Sequence, residues 1–80
     1  MRTINSNPSP YKVGRRVVVT KLFSSGSVLL HVGDVGMIER IETHSLPDFG
    51  LFNVKVYDIS FIGHDVSIGE GIVQEYMDPV

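Results

Sequence analysis

The stretch LHVGDVGMIERI at residues 30–41 decides the fold of this chain. Its apolar residues recur every three positions, at Val32, Val35, Ile38 and Ile41. One face of a helix would show the same spacing, but each of the two glycines in the stretch would cost a helix about 1 kcal/mol. A β-strand that contains a bulge accommodates this spacing equally well. We therefore predict a tight turn at residues 33–36 and a strand at residues 37–42.

Segments on both sides of this stretch have the composition of further strands. Residues 15–21 contain the β-branched run Val17-Val18-Val19, and residues 51–59 alternate between two faces. In the second segment we place Phe52, Val54 and Val56 on one face. Shorter apolar segments at residues 66–68 and 72–77 complete the set. We predict that residues 72–77 are either the last strand or a short strand after a turn of 3₁₀ helix. Glycines at residues 63, 69 and 71 predict a hairpin bend and a turn between these segments.

The length of 80 residues indicates a single domain. Hydrophobic residues make up 42% of the chain and charged residues 20%, which is close to the globular average and argues against wholesale disorder. Residues 1–10 are polar and contain Pro8 and Pro10. We predict a flexible tail at residues 1–10 and a folded domain at residues 11–80.

Charge and cysteine content exclude several classes of function. The net charge of −2 removes the strongest argument for general nucleic-acid binding, which needs many cations facing phosphates. The absence of cysteine excludes disulfides, thiolate zinc sites and cysteine nucleophiles. No apolar run approaches the roughly 18 residues of a membrane span, and the first residues lack the apolar core of a signal peptide. We therefore predict a cytoplasmic protein with no membrane partner.

Three segments in this order resemble the small SH3-like barrels. They are VGRRVVV at residues 13–19, LHVGDVGMIERI at residues 30–41 and FNVKV at residues 52–56. KOW domains, the E-type chain of photosystem I and the variable chain of ferredoxin–thioredoxin reductase share this pattern. The resemblance implies an all-β, five-stranded, partly open barrel. Residues 72–77 would supply its last strand. The residues that would fill the barrel are Val17, Val19, Ile38, Ile41, Val54 and Val56.

Two long loops carry the candidate partner-binding residues. SH3-like barrels use the loop that corresponds to residues 21–33 to contact partners. We predict a second loop at residues 44–50. Apolar residues lie in or beside the first loop at Phe23, Leu29 and Leu30, and in or beside the second at Leu46, Phe49 and Leu51. Aromatic anchors on loops often dominate interfaces. The alternative is that these side chains fold back over the ends of the barrel. We select Phe23, Leu29, Leu46 and Phe49 as the candidate interface.

A small basic cluster supports an alternative partner. It consists of Lys12, Arg15, Arg16 and Lys21, and some KOW modules bind RNA or DNA through such residues. Because adjacent strand residues point to opposite faces, Arg15 and Arg16 do not form one continuous basic face. A solvated strand end is the simpler interpretation of the cluster.

No catalytic or metal site can be assembled from the sequence. The three histidines, His31, His44 and His64, have separations that fit no compact ligand motif. The serines lie outside any nucleophile motif and lack an identifiable base. We predict a non-enzymatic protein that needs no cofactor and no metal.

These observations predict a small protein-binding module or accessory subunit that docks on a larger protein and modulates it. The size and the tail-plus-barrel form also fit a viral or bacteriophage accessory protein that acts on a host enzyme. The alternatives are a KOW-like RNA- or DNA-binding module and a structural subunit of a reductase complex. A homodimer through an edge strand also remains open, because a barrel that does not close leaves edges.

Overall fold

The computed structural model describes residues 9–80, so the predicted tail at residues 1–10 lies outside the described residues apart from Ser9 and Pro10. The described chain is mainly β-strand. Its elements are β1 (Arg16–Val19), β2 (Phe23–Ser25), β3 (Val28–Leu30), β4 (Val35–Leu46), a 3₁₀ helix (Pro47–Phe49), β5 (Leu51–Phe61), β6 (His64–Gly69), α1 (Glu70–Tyr76) and β7 (Met77–Pro79).

Five strands form one antiparallel sheet in the order β6-β5-β4-β1-β7, and β2 pairs with β3 in a separate hairpin. The prediction of an all-β fold with five strands is thus confirmed in part: the chain is mostly β and has a five-stranded antiparallel sheet, but it also contains a helix, α1. The sheet is not closed, since β6 and β7 remain its two edges within residues 9–80. The predicted hairpin bend joins β5 to β6 at Ile62 and Gly63, and Gly63 adopts the positive φ of 83° that such a turn requires.

A bulge in β4 explains the three-residue spacing between Ile38 and Ile41, whereas Val32 and Val35 are exposed and do not belong to the core. Ile38 lies opposite Ile59, whereas Arg40 lies opposite Asp58, so Glu39 is an extra residue on β4. Ile38 is fully buried and Ile41 packs against the same core. The predicted bulged strand is therefore confirmed. The strand is longer than predicted at both ends, and Gly36 belongs to β4 rather than to the preceding turn.

The core is formed by residues of the five-stranded sheet, the β2–β3 hairpin and α1, together with Tyr11. Its fully buried members include Val17, Val19 and Ile38, as predicted. The assignment of Val54 and Val56 to the core is wrong, since both are only half-buried. Tyr57 and Ile59, from the opposite face of β5, fill the core instead. The alternation of residues 51–59 defines two faces of β5 but does not decide which of them is buried in the core.

Of the two interpretations of residues 72–77, the strand throughout is wrong, and the structure is closer to the second, a short strand after a helical turn. The turn is the α-helix α1 rather than a 3₁₀ helix, and β7 begins only at Met77. The predicted turn at residues 69–71 is likewise the start of this helix. Val73 is fully buried and Tyr76 packs against the core, at the spacing of one helical face. Met77 then pairs with Val19 at the sheet edge. The helix has only seven residues and contains Gly71, so its apolar period is too short to detect in the sequence.

Two tyrosine hydroxyls form hydrogen bonds with α1 and β7. The Tyr11 hydroxyl donates to the carbonyl oxygen of Met77 over 2.9 Å, and the Tyr57 hydroxyl donates to a Glu70 carboxylate oxygen over 3.2 Å. The two rings meet edge to face with centroids 6.2 Å apart. Burial, followed by the negative charge of Glu70, raises the pKa of the Tyr57 phenol.

Candidate docking surfaces

The β4–β5 hairpin extends beyond the core as an exposed arm, which we define as residues 43–53. Every residue of the arm is exposed. The pairing of β6 with β5 ends at Val56, and the pairing of β1 with β4 ends at Met37. Both edges of the arm are consequently free of strand partners from residues 9–80. The sequence predicts a loop at residues 44–50, whereas in the structure β4 continues to Leu46 and a 3₁₀ helix follows.

Four exposed apolar residues lie within residues 46–52 at the end of the arm, and we call them the tip: Leu46, Phe49, Leu51 and Phe52. Phe49 is 77% exposed and Phe52 is 65% exposed. Leu46 and Leu51 form a cross-strand pair. Leu46 and Phe49 are among the residues selected from the sequence. Phe52 is not, because the alternation of residues 51–59 places it on the same face as Val54 and Val56, which were predicted to lie in the core. An irregularity at Asn53, with a positive φ of 57°, interrupts the alternation there.

The prediction that Phe23 is an exposed partner-binding residue is wrong. It is 8% exposed and belongs to the core. Its ring meets that of Tyr76 edge to face at 5.4 Å, and its neighbour across the hairpin, Leu30, is fully buried. These two side chains cover the core. They therefore follow the alternative interpretation, in which apolar loop residues fold back over the core instead of facing a partner. Leu29 points the other way and remains exposed.

A hollow of about 220 Å³ lies at the end of the sheet opposite the arm. We call it the basal hollow, and its apolar walls are Leu29, Val35, Phe61 and Ile62. Ile62, at the β5–β6 turn, is 99% exposed. The sequence pattern assigns Ile62 to a strand beside the bend, so nothing in it marks this residue as a surface contact.

A polar ladder crosses the outer face of the sheet. Arg40 Nε donates to Asp58 over 2.8 Å, and the Ser67 hydroxyl donates to the other carboxylate oxygen of Asp58 over 2.5 Å. Arg40 also approaches Glu42, which contacts His44. The hydrogen bonds from Ser67 and Arg40 lower the pKa of Asp58. Exposed ion pairs contribute little to stability, so the contribution of the ladder to stability is small.

The ladder predicts a specific acid dependence. A carboxylate whose pKa is lowered by folding contributes stability above its unfolded pKa of about 3.9, and this contribution is lost as the pH falls through the folded value. We expect Asp58→Asn to destabilise the protein at neutral pH and to flatten the loss of stability below about pH 4. Urea unfolding at a series of pH values measures both effects. Asp48→Asn, at an exposed position of the arm, is the control, and equal acid profiles for the two variants would contradict the prediction.

A depression of about 430 Å³ lies beside the ladder and is lined by three carboxylates, those of Glu39, Asp58 and Asp65. Asp58 is already engaged by Arg40 and Ser67. In residues 9–80, no three histidine, aspartate or glutamate side chains are grouped closely enough to hold a metal ion. The depression therefore does not define a metal centre.

The four residues of the predicted basic cluster are all exposed. Lys12 and Arg15 precede β1, Arg16 is its first residue, and Lys21 follows it. Arg15 Nε donates to the carbonyl oxygen of Val80 over 2.7 Å. Lys21 approaches Glu75 at 3.8 Å and lies over the Tyr76 ring. Two of the four cations are thus engaged within the chain, while Lys12 and Arg16 make no ion pair with a described residue.

The structure brings two of the three histidines together. His31 and His64 both line the basal hollow, while His44 lies on the arm beside Glu42. No helix in the described part of the chain is long and apolar enough to cross a membrane.

Comparison of the chain with protein-family models, with curated proteins and with solved structures gives no match.

Proposed function

We propose that this chain is a small, non-enzymatic protein-binding module or accessory subunit that docks on a larger protein and modulates it. The observation that carries the proposal is the tip, where four large and exposed apolar residues lie within seven positions of the chain at the end of an exposed arm. Scattered apolar residues are ordinary on a protein surface, but a cluster of this kind is typical of an interaction site.

The arm holds the tip in a defined position. Its strands are continuous with the central strands β4 and β5 of the sheet, and Gly50 closes the 3₁₀ helix with a backbone hydrogen bond to Pro47. Phe49 would act as the aromatic anchor, with Leu46, Leu51 and Phe52 around it.

We also propose that the scaffold is a partly open SH3-like barrel. The strand order supports this, because the last strand lies beside the first and the intervening strands follow in sequence. The β2–β3 hairpin then occupies the long first loop of such a barrel. Its burial of Phe23 leaves the second loop, which is the arm, as the main docking element.

Protein docking is favoured over the KOW-like nucleic-acid alternative. Lys21 and Arg15 are engaged by Glu75 and by the Val80 carbonyl, so fewer free cations face any one phosphate backbone. The reductase-subunit and bacteriophage assignments remain predictions, since no contact in the structure bears on them.

An affinity pull-down from a nuclease-treated lysate of the source organism tests the proposal. We expect the wild type and the control variant Leu22→Ser to retain the same protein at near-stoichiometric level, and Phe49→Ser to lose it. Leu22 is an exposed apolar residue outside the arm. Arg15→Glu combined with Arg16→Glu should retain the partner. Loss of all partners on nuclease treatment would instead establish the nucleic-acid alternative.

A further inference from the structure

We propose that the free edge of β6 binds an extended, basic segment of another protein as an additional strand. This goes beyond the proposed function, because β6 and the tip are separate surfaces. Of the two edges of the sheet, β7 has three residues and contains Pro79, and proline at an edge hinders the addition of a strand. β6 has six residues and contains no proline. It is therefore the edge that can accept a further strand.

The backbone of β6 presents hydrogen-bonding groups at this edge. Phe61 and His64 flank the two-residue turn between β5 and β6, so they form the first hydrogen-bonded pair of the hairpin. Hydrogen-bonded and non-hydrogen-bonded pairs alternate along antiparallel strands, so Asp65 and Ser67 direct their backbone N–H and C=O groups away from β5. Within residues 9–80, no backbone group pairs with them there. An added strand would satisfy these groups.

A groove between β6 and the β2–β3 hairpin would receive apolar side chains of the added strand. The groove measures about 160 Å³, and four of its lining residues belong to the core or pack against it: Phe23, Val28, Val66 and Ile68. Every second side chain of a strand added to β6 would point into this groove. Since an apolar cavity of about 150 Å³ accommodates benzene, the groove has room for one aliphatic side chain.

The other face of β6 favours a positive charge on the added strand. Asp65 and Ser67 border the depression beside the ladder, whose charged residues are Glu39, Asp58 and Asp65. Arg40 pairs with Asp58, but within the described part of the chain no lysine or arginine lines this depression or the groove. A lysine or arginine beside the apolar residue of an added strand would extend over Asp65 towards these carboxylates.

The same charges disfavour a second copy of the chain at this edge. Two β6 strands paired edge to edge would bring the Asp65 carboxylates of both copies to one ribbon, and β6 contains no lysine or arginine to compensate them. Like charges on neighbouring strands are destabilising. The occupant is therefore an extended segment of another protein in which apolar and basic residues alternate.

A short fluorescein-labelled peptide in which valine and lysine alternate is the probe, and its control carries glutamate in place of each lysine. Fluorescence anisotropy at low ionic strength should show that the lysine peptide binds and that the glutamate peptide does not. Asp65→Lys should weaken binding by about tenfold or more, because it reverses the charge at the edge. Asp48→Lys, at an exposed position of the arm, should leave binding unchanged. Binding of both peptides, or of neither, would overturn the proposal.

Ser67→Pro tests the strand edge itself. It removes the N–H group that we place at the free edge, and an edge strand tolerates proline at such a position. Ser67→Ala is the matched control, since both variants lose the hydroxyl that donates to Asp58. We expect Ser67→Pro to abolish binding of the lysine peptide and Ser67→Ala to retain it. Equal binding by the two variants would contradict strand addition at β6.

Amide hydrogen exchange of the wild type gives a readout that needs no variant to fold. The lysine peptide should slow exchange at Asp65 and Ser67, whose N–H groups gain partners. It should leave exchange at Val66 nearly unchanged, because that N–H group already pairs with β5. Equal slowing at all three positions, or none at any, would overturn the proposal.

Phe49→Ser separates this proposal from the proposed function. The variant lacks the aromatic anchor of the tip but has an intact β6 edge, so it should bind the lysine peptide as the wild type does. Loss of peptide binding in Phe49→Ser would place the peptide on the tip and overturn the proposal. A pull-down that finds no partner for the tip would contradict the proposed function and leave peptide binding at β6 unaffected.

Discussion

Replacing Phe23 by alanine is expected to lower the free energy of unfolding by about 3–5 kcal/mol, because it removes a large side chain from the core. Replacing Phe49 by alanine is expected to change it by no more than about 0.5 kcal/mol, as for other exposed positions. A domain of this length has a total stability of roughly 4–12 kcal/mol. The first variant should therefore lose a large part of its stability, and the second should resemble the wild type.

The reason lies in what the two rings contact. Phe23 packs edge to face on Tyr76 and lies opposite the fully buried Leu30, so its loss leaves a cavity between the β2–β3 hairpin and α1. Phe49 stands on the 3₁₀ helix of the arm and is mostly surrounded by solvent. Urea unfolding followed by circular dichroism measures both changes.

Each half of this comparison has an outcome that contradicts it. A large destabilisation by Phe49→Ala would mean that the tip covers the core and is not free to bind a partner. A neutral Phe23→Ala would mean that the β2–β3 hairpin is not packed on the core. Phe23→Leu serves as the control, since it retains most of the apolar volume and should cost less than Phe23→Ala.

Much of the fold was predictable from local patterns. The run Val17-Val18-Val19, the bulged strand with Ile38 and Ile41, and the hairpin at Gly63 all involve strong β-formers or a glycine that must adopt a positive φ. These preferences act over a few residues, so they can be detected in a single sequence.

The errors arose where packing between distant segments decides the outcome. Phe23 and Phe49 both lie near polar and glycine-containing segments, and only the presence of Tyr76 beside one of them distinguishes the buried ring. In the same way, Val73 and Tyr76 form a helical face only because the core lies beside them. Nothing in the local sequence distinguishes these cases.

Gly36 provides the second large effect, because its place in β4 leaves no room for a side chain. A Cβ atom built there would lie 2.7 Å from Phe61 Cε2 and 2.9 Å from Ile59 Cγ2. Both neighbours are buried, so neither can move without disturbing the core. We expect Gly36→Ala to lower the free energy of unfolding by about 1–3 kcal/mol, as overpacking typically does. Urea unfolding measures the change.

Gly71 is the matched control, because a Cβ atom there meets nothing within 4 Å and the residue lies inside α1. Gly71→Ala should therefore stabilise the protein, by about 0.5–1 kcal/mol, through the higher helix propensity of alanine. The origin of the Gly36 effect is tested by adding Phe61→Leu, which removes the ring that the new methyl group would strike. The double variant should be more stable than the sum of the two single changes predicts, since the two positions are in contact. Strict additivity would show that the methyl group and the ring do not clash, and that the close approach of β4 to Phe61 is not what requires glycine at this position.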